Sequence, residues 1–390
     1  MSSLLQKIGN NIKLPSSEEE AYKLLNETYK DQILNVAIHQ NHGHHDVNAS
    51  PEGMTIKFKK GTKLYGEPFG YDWFGIVAAV KISEKDKNKY TDQYYVSKLK
   101  ELNEGVHQLS QDDTSGPNLR ENRDTETNKD KKQWKHGIFG GYAGLVKVPG
   151  TRRDEDYYLI VHTNAGLAGY ELYKIIEDHE GEDIVNIDTF VRSKEYEYVR
   201  NVSKRNALRI LADMAVIFDV EIATEVDNFA NGSNSIKKAK PDILCEYNMI
   251  DAAREDSGYV YYNNCFNLDT CQGGLIFSVD PYYGSFLYCG SAQVSKGTGM
   301  SNKFNNSFPI GTGKIPLNER KLAEFSKKEK DVIQNTYTWS GKKDNEIQYR
   351  FNNIYRGMNK NVEEINELLG QKDEFQLKQV VPIVMKLGNL

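Results

Sequence analysis

Short apolar runs closed by glycine recur along most of this chain, and they commit it to a β-rich fold. MTIKF, IVAAVKI, YAGLVKV, YYLIVH, YVYYNN, GGLIFSV, GSFLY and QVVPIVMK are each long enough for one strand. They are rich in β-branched and aromatic residues and are bounded by turn-forming residues, which is the composition of strands. One long helical periodicity interrupts them. After Ser203, the stretch KRNALRILADMAVIFDV carries Ala207, Leu208, Leu211, Ala215 and Phe218 at helical spacing, which predicts a buried helix with Ser203 before it. Residues 17–31 open with a serine and three glutamates ahead of Ala21, Leu24, Leu25 and Tyr29, the signature of a capped helix. Two more helices are expected near 317–337 and 362–369, the second stopping at Gly370. The class is therefore α+β, with mixed sheets and flanking helices and no internal repeat.

Residues 84–135 break this pattern, being charged throughout with few apolar positions. We read them as a solvated loop or insertion within a single domain spanning 1–390. The net charge of -5 and the pI near 6.0 argue against a general nucleic-acid coat protein, because such binding would need a local basic patch. No apolar run reaches the length of a membrane span, and residues 1–16 lack the basic-then-apolar order of a secretion signal. The expectation is a protein that does not enter the membrane and is not secreted, either cytoplasmic or virion-associated. Cys245, Cys265, Cys271 and Cys289 contain no CxxC pair, so free buried thiols are expected, with a zinc site as the alternative.

Three local features invite a chemical reading. GTGK at 311–314 lacks the earlier glycine and the following Ser or Thr of a phosphate loop. His42, His44 and His45 with Asp46, close to His39, form the densest set of potential metal ligands, although only alternate members of a strand, such as His42 and His44, could share one face. A polar loop with solvated histidines is the plainer reading. His162 ends an apolar strand before a glycine-rich turn, where ligands and catalytic groups often project, though a lone histidine is more often structural.

The order of several segments resembles the RtcB family, RNA ligases that join 3′-phosphate to 5′-hydroxyl ends with GTP and manganese. FGYDWFG (69–75) sits where the family has an aspartate followed three residues later by a metal-binding cysteine; Asp72 matches and Gly75 replaces the cysteine. HGIFGGYAGLVKV (136–148) resembles the strand that supplies an asparagine and a ligand histidine, positions held here by Ala143 and Gly144. IVHTNAGLAG (160–169) resembles the next ligand segment, and His162 falls on its histidine. CEYNMID (245–251) keeps the family asparagine as Asn248 but has Tyr247 at the metal-binding histidine. Asn263 and Asn264 stand at the family's Arg-Lys pair, and its guanylate-binding glycine loop is reduced to Gly284 and Ser285. NNSFPIGTGK (305–314) resembles the loop whose histidine accepts GMP, and Ile310 falls on that histidine. QVVPIVMKLG (379–388) is similar to the C-terminal strand, with Lys386 on its lysine.

The resemblance implies an RtcB-like fold, with mixed sheets around a central cleft, from which the chemistry has been removed. An isoleucine offers no nucleophile for guanylylation, and Asp72 and His162 alone cannot fix two ions. Asn248 and Lys386 would be remnants of nucleotide binding. On this reading no cofactor is expected and the chain is a binding or structural component of a larger assembly, a virion or ribonucleoprotein. Protein partners are favoured, with RNA contact through the old cleft as the other mode. The alternative is a divergent GTP- and manganese-dependent ligase with a rebuilt site that uses His162 and Asp72 with members of the cluster His42, His44, His45 and Asp46.

Overall fold

The computed structural model describes residues 5–7, 25, 27–38, 53–65, 69, 72–83, 94, 138, 141–148, 156–177, 185–227, 236–253, 258–280, 284–288, 305–310, 337–339 and 377–387. The strands are Leu5–Lys7 (β1), Ile33–Ile38 (β2), Met54–Phe58 (β3), Gly75–Lys81 (β4), Tyr142–Val148 (β5), Asp156–Thr163 (β6), Thr224–Asp227 (β7), Ile236–Ala239 (β8), Ile243–Ala252 (β9), Tyr259–Asn267 (β10), Leu275–Asp280 (β11), Gly284–Tyr288 (β12), Ser307–Pro309 (β13), Tyr337–Trp339 (β14) and Leu377–Leu387 (β15). The helices are Leu167–Glu177 (α1), Ile187–Val191 (α2) and Lys194–Ile217 (α3). One large sheet runs in the order β1-β2-β3-β10-β9-β4-β6-β5-β15-β12-β11, with β13 on β10 and β14 on β15. Its pairings are antiparallel except β1 with β2 and β14 with β15, and β7 and β8 form a separate hairpin. The fold is thus mixed α and β with a mostly antiparallel sheet, in line with the α+β expectation.

The centre of the sheet is β6-β4-β9, and β4 is buried along nearly its whole length. A strand covered on both faces reads as a continuous apolar run, which is why GIVAAVK shows no alternation. One face presents Ile76, Ala78 and Val80 of β4 with Ala143, Leu145, Leu159, Val161 and Leu244, and these pack on Leu208, Leu211, Met214 and Ala215 of α3. Tyr94, inside the segment read as solvated, is half-buried against this same core. A second core joins β2, β3 and β10 to α1, α2 and the first turns of α3, with Trp73 and Phe74 among Phe190 and Tyr196.

The long helix begins earlier than its apolar spacing predicts. Ser193 is the N-cap, its side chain accepting from the Tyr196 amide, and Glu195 and Glu197 fill the first turn. Ser203 is an interior helical residue whose hydroxyl donates to the Phe74 carbonyl at 2.5 Å. The first three turns were hidden because their buried face is sparse, Tyr196 and Val199, in a polar context. Tyr196 anchors them to β9, donating to the Ile250 carbonyl at 2.5 Å and accepting from its amide at 2.7 Å.

Of the expected helix at 17–31, residues 25 and 27–29 are helical. The helix expected over 317–337 meets a correction at its end, since Tyr337 is in β14, paired beside Val384 of the C-terminal strand. The rest of that segment, the helix at 362–369, the bulk of 84–135, GTGK and Cys289 lie outside the described residues. Among the described residues no helix is long and apolar enough to cross a membrane.

Candidate functional site

Alternation along the central strands assigns one residue in two to the face opposite α3. Register places Val77 between His162 on β6 and Cys245 on β9, and pairs Gly75 with Tyr247. His162, Gly75 and Tyr247 therefore share a face although they lie far apart in sequence. Gly144 pairs with Ile160, two residues before His162, and so belongs to the same face on β5.

Tyr247 uses the absence of a side chain at Gly75. A Cβ added there would lie 1.9 Å from Tyr247 Cζ and 2.1 Å from Cε2, so the phenol ring occupies the volume that any other residue at 75 would fill. Lying across Gly75, the ring carries its hydroxyl to His162 Nε2 in a short hydrogen bond. The imidazole is flanked by Tyr247 and Tyr142, each with its ring centroid 5.4 Å away. Phe266 packs edge-on against the far side of Tyr247. Gly141 completes the fit, since a Cβ there would stand 2.0 Å from the His162 carbonyl oxygen.

This packing sets the protonation states. His162 keeps part of its residue surface accessible, yet desolvation of its ring lowers its pKa to about 4. Burial, with the Asp72 carboxylate as a second cause, holds the Tyr247 phenol well above its ordinary value. Both groups are neutral at pH 7, so the Tyr247 O–H donates and Nε2 accepts, which puts the imidazole proton on Nδ1. A base with a pKa near 4 and a phenol held above 10 are poorly matched to proton transfer at neutral pH.

Asp72 is exposed and accepts from Asn164 Nδ2 at 3.0 Å, while Asn164 Oδ1 accepts from the Gly166 amide at 2.8 Å. Asn164, buried in the turn after β6, thus positions the carboxylate beside the phenol. Next to it the backbone is strained in three linked places. Phe74, Asn248 and Asn264 have φ of 53°, 52° and 49°. The Phe74 amide donates to the Asn248 carbonyl at 2.9 Å, and the Asn264 amide to Asn248 Oδ1 at 2.6 Å. The Ile310 amide in turn donates to the Asn264 carbonyl at 3.2 Å. Left-handed non-glycine residues cost about 1–3 kcal/mol each and persist where surrounding structure holds them.

The structure thus gathers Asp72, Gly75, His162 and Tyr247 directly, with Asn248, Asn264 and Ile310 joined through backbone hydrogen bonds. Ile310 is buried, with no polar group in its side chain. Lys386 stands opposite Ala143 in register, one residue off the row of Gly144. His42, His44, His45 and Asp46 lie outside the described residues. Sequence reading missed Tyr142, Asn164 and Gly141, which support His162 and Asp72; each sits within two residues of a position singled out, and cross-strand pairing rather than local pattern reveals them. It also missed Glu246, buried on the α3 face between Tyr247 and Cys245, which accepts from Arg200 Nε and pairs with Lys204 Nζ, both at 2.7 Å. The three described cysteines are buried and free, as expected. Among the described residues no cluster of three or more His, Cys, Asp or Glu forms a metal-holding group. Compared with known proteins, the chain matches no family model, and no curated protein matches it in sequence.

Proposed function

We propose that this chain is an RtcB-like protein that has lost its ligase chemistry and serves as a binding or structural component of a larger assembly, such as a virion or ribonucleoprotein. The observation that carries the reading is the Tyr247 ring lying over Gly75 and bonded to His162. Positions 72, 75, 162 and 247 are those at which the resemblance expects metal ligands. Their meeting where the start of β4 and the end of β6 flank the middle of β9 supports the alignment.

The groups found there do not fit a pair of manganese ions. Gly75 and Gly144 bring no donor atom, the phenol keeps its proton, and His162 Nε2 is engaged by it. Hard divalent ions take several oxygen or nitrogen donors each, and Asp72 with one imidazole cannot supply two ions. Ile310 has no atom on which guanylate could be carried. The retained scaffold then serves recognition, with protein partners favoured over RNA by the net charge of -5.

Incubation of the full chain with α-labelled GTP and manganese, followed by a denaturing gel, tests the loss of chemistry. The expected result is no label on the protein under conditions in which an active RtcB ligase labels itself. Covalent label on this chain would instead establish the divergent ligase.

A further inference from the structure

Cys245 lies on β9, two residues before Tyr247, and Cys271 follows the turn that ends β10. Between the two segments Leu244 and Gln272 form an isolated antiparallel bridge. They exchange both backbone hydrogen bonds, Leu244 N to Gln272 O at 3.1 Å and Gln272 N to Leu244 O at 2.8 Å. In an antiparallel ladder the pair adjacent to such a doubly bonded pair is a non-hydrogen-bonded one, with Cα atoms about 4.5 Å apart and side chains on one face. One step from the bridge, that pair is Cys245 and Cys271. The two thiols are close enough for Cys245 to influence the Cys271 thiol directly.

We propose that Cys245 and Cys271 are a site of reversible disulfide formation that ties β9 to the segment after β10. The separation expected of a non-hydrogen-bonded pair falls inside the range a disulfide spans, about 4.4–6.8 Å between Cα atoms. The oxidant is a small-molecule disulfide such as oxidised glutathione. One cysteine thiolate attacks it, releasing one small thiol and leaving a mixed disulfide; the second cysteine displaces the other small thiol. The two cysteine S–H bonds are lost, one S–S bond forms, and the oxidant carries away two electrons and two protons as two thiols.

In the reduced state Cys245 Sγ donates to the Gly274 carbonyl at 3.3 Å and Cys271 Sγ to the Asn267 carbonyl at 3.4 Å. Oxidation gives up both contacts. Burial, then Cys245 itself, Glu246 and Asp269, push the Cys271 thiol well above its ordinary value, so the pair reacts when the segment after β10 opens. Among the described residues no third His, Cys, Asp or Glu joins the pair in a metal-holding group, which favours a disulfide over a metal thiolate.

The full chain is incubated with oxidised glutathione, blocked with maleimide, digested and read by mass spectrometry, beside C271S and C265S. The expected product is a Cys245–Cys271 cross-linked peptide lighter by two hydrogens, absent in C271S, retained in C265S and reversed by dithiothreitol. A cross-link through Cys265 or Cys289 overturns the proposal. So does a glutathione adduct left on Cys245 or Cys271 without closure, or the absence of any reaction at either thiol in the native protein.

Discussion

Replacing Gly75 by alanine removes nothing and adds one methyl group, so its cost measures how firmly the Tyr247 ring is held. The new Cβ would begin 1.9 Å from Cζ and 2.2 Å from Cε1 of that ring. Carbon atoms rest at about 3.5–4.0 Å, so the ring must retreat by roughly 1.5–2 Å. His162 on one side and Phe266 on another oppose that movement. Overpacking of this kind costs about 1–3 kcal/mol. Losing the phenol leaves an enclosed imidazole nitrogen without a donor, about 1–3 kcal/mol more. The sum predicts a destabilisation of roughly 2–6 kcal/mol for Gly75→Ala in urea unfolding followed by tryptophan fluorescence. A mutant cycle isolates the contact, because in Tyr247→Ala the methyl has room and Gly75→Ala should then cost under about 0.5 kcal/mol. A single Gly75→Ala variant within about 0.5 kcal/mol of wild type, or equal costs in both backgrounds, would refute the reasoning.

The lowered His162 pKa predicts a pH dependence. Folded His162 titrates at about 4 against an ordinary value of 6.5, so the unfolded chain binds the proton more tightly. Its contribution is fully present above pH 6.5 and is lost as pH falls toward 4, amounting to about 2 kcal/mol between pH 7.5 and 5. His162→Gln should flatten the stability profile by that amount, and superimposable slopes would count against a buried neutral imidazole. Glu246→Gln should cost about 1–3 kcal/mol, less than for a fully buried pair because Arg200 and Lys204 keep 25% and 31% of their side-chain surface in water. Lys204→Met, which leaves the Arg200 bond, should cost less than Glu246→Gln in the same urea titration, and the reverse order would contradict this account of the triad. At Asn248, alanine loses the bond to the Asn264 amide and also suffers the left-handed backbone, whereas glycine loses only the bond. Asn248→Gly should therefore be the more stable variant by about 1 kcal/mol in thermal melts, and an Asn248→Ala protein of equal stability would remove the strain argument.

Most of the central sheet could be read from the chain, because β4, β5, β6, β10 and β15 are largely apolar runs with glycine, proline or asparagine close to one end. Where apolar spacing was thin, reading failed. The first turns of α3 are polar outside Tyr196 and Val199, so apolar spacing marks the helix only after Ser203 although Ser193 caps it. The site was half visible. His162 stood out as a histidine at a strand end, and the resemblance pointed to Asp72, Gly75, Tyr247 and Ile310. That Tyr247 folds over Gly75 to reach His162 depends on two cross-strand registers across β4, and no local pattern encodes these. The same holds for Cys245 and Cys271, whose pairing follows from one isolated bridge.

Titration of the chain with Mn2+, following the free ion by electron paramagnetic resonance, bears most directly on the proposal that phenol and imidazole close the position at which the resemblance expects a metal. The wild-type protein and His162→Phe should leave the same free Mn2+ signal at every concentration. Depletion of free Mn2+ by the wild type that disappears in His162→Phe would contradict it.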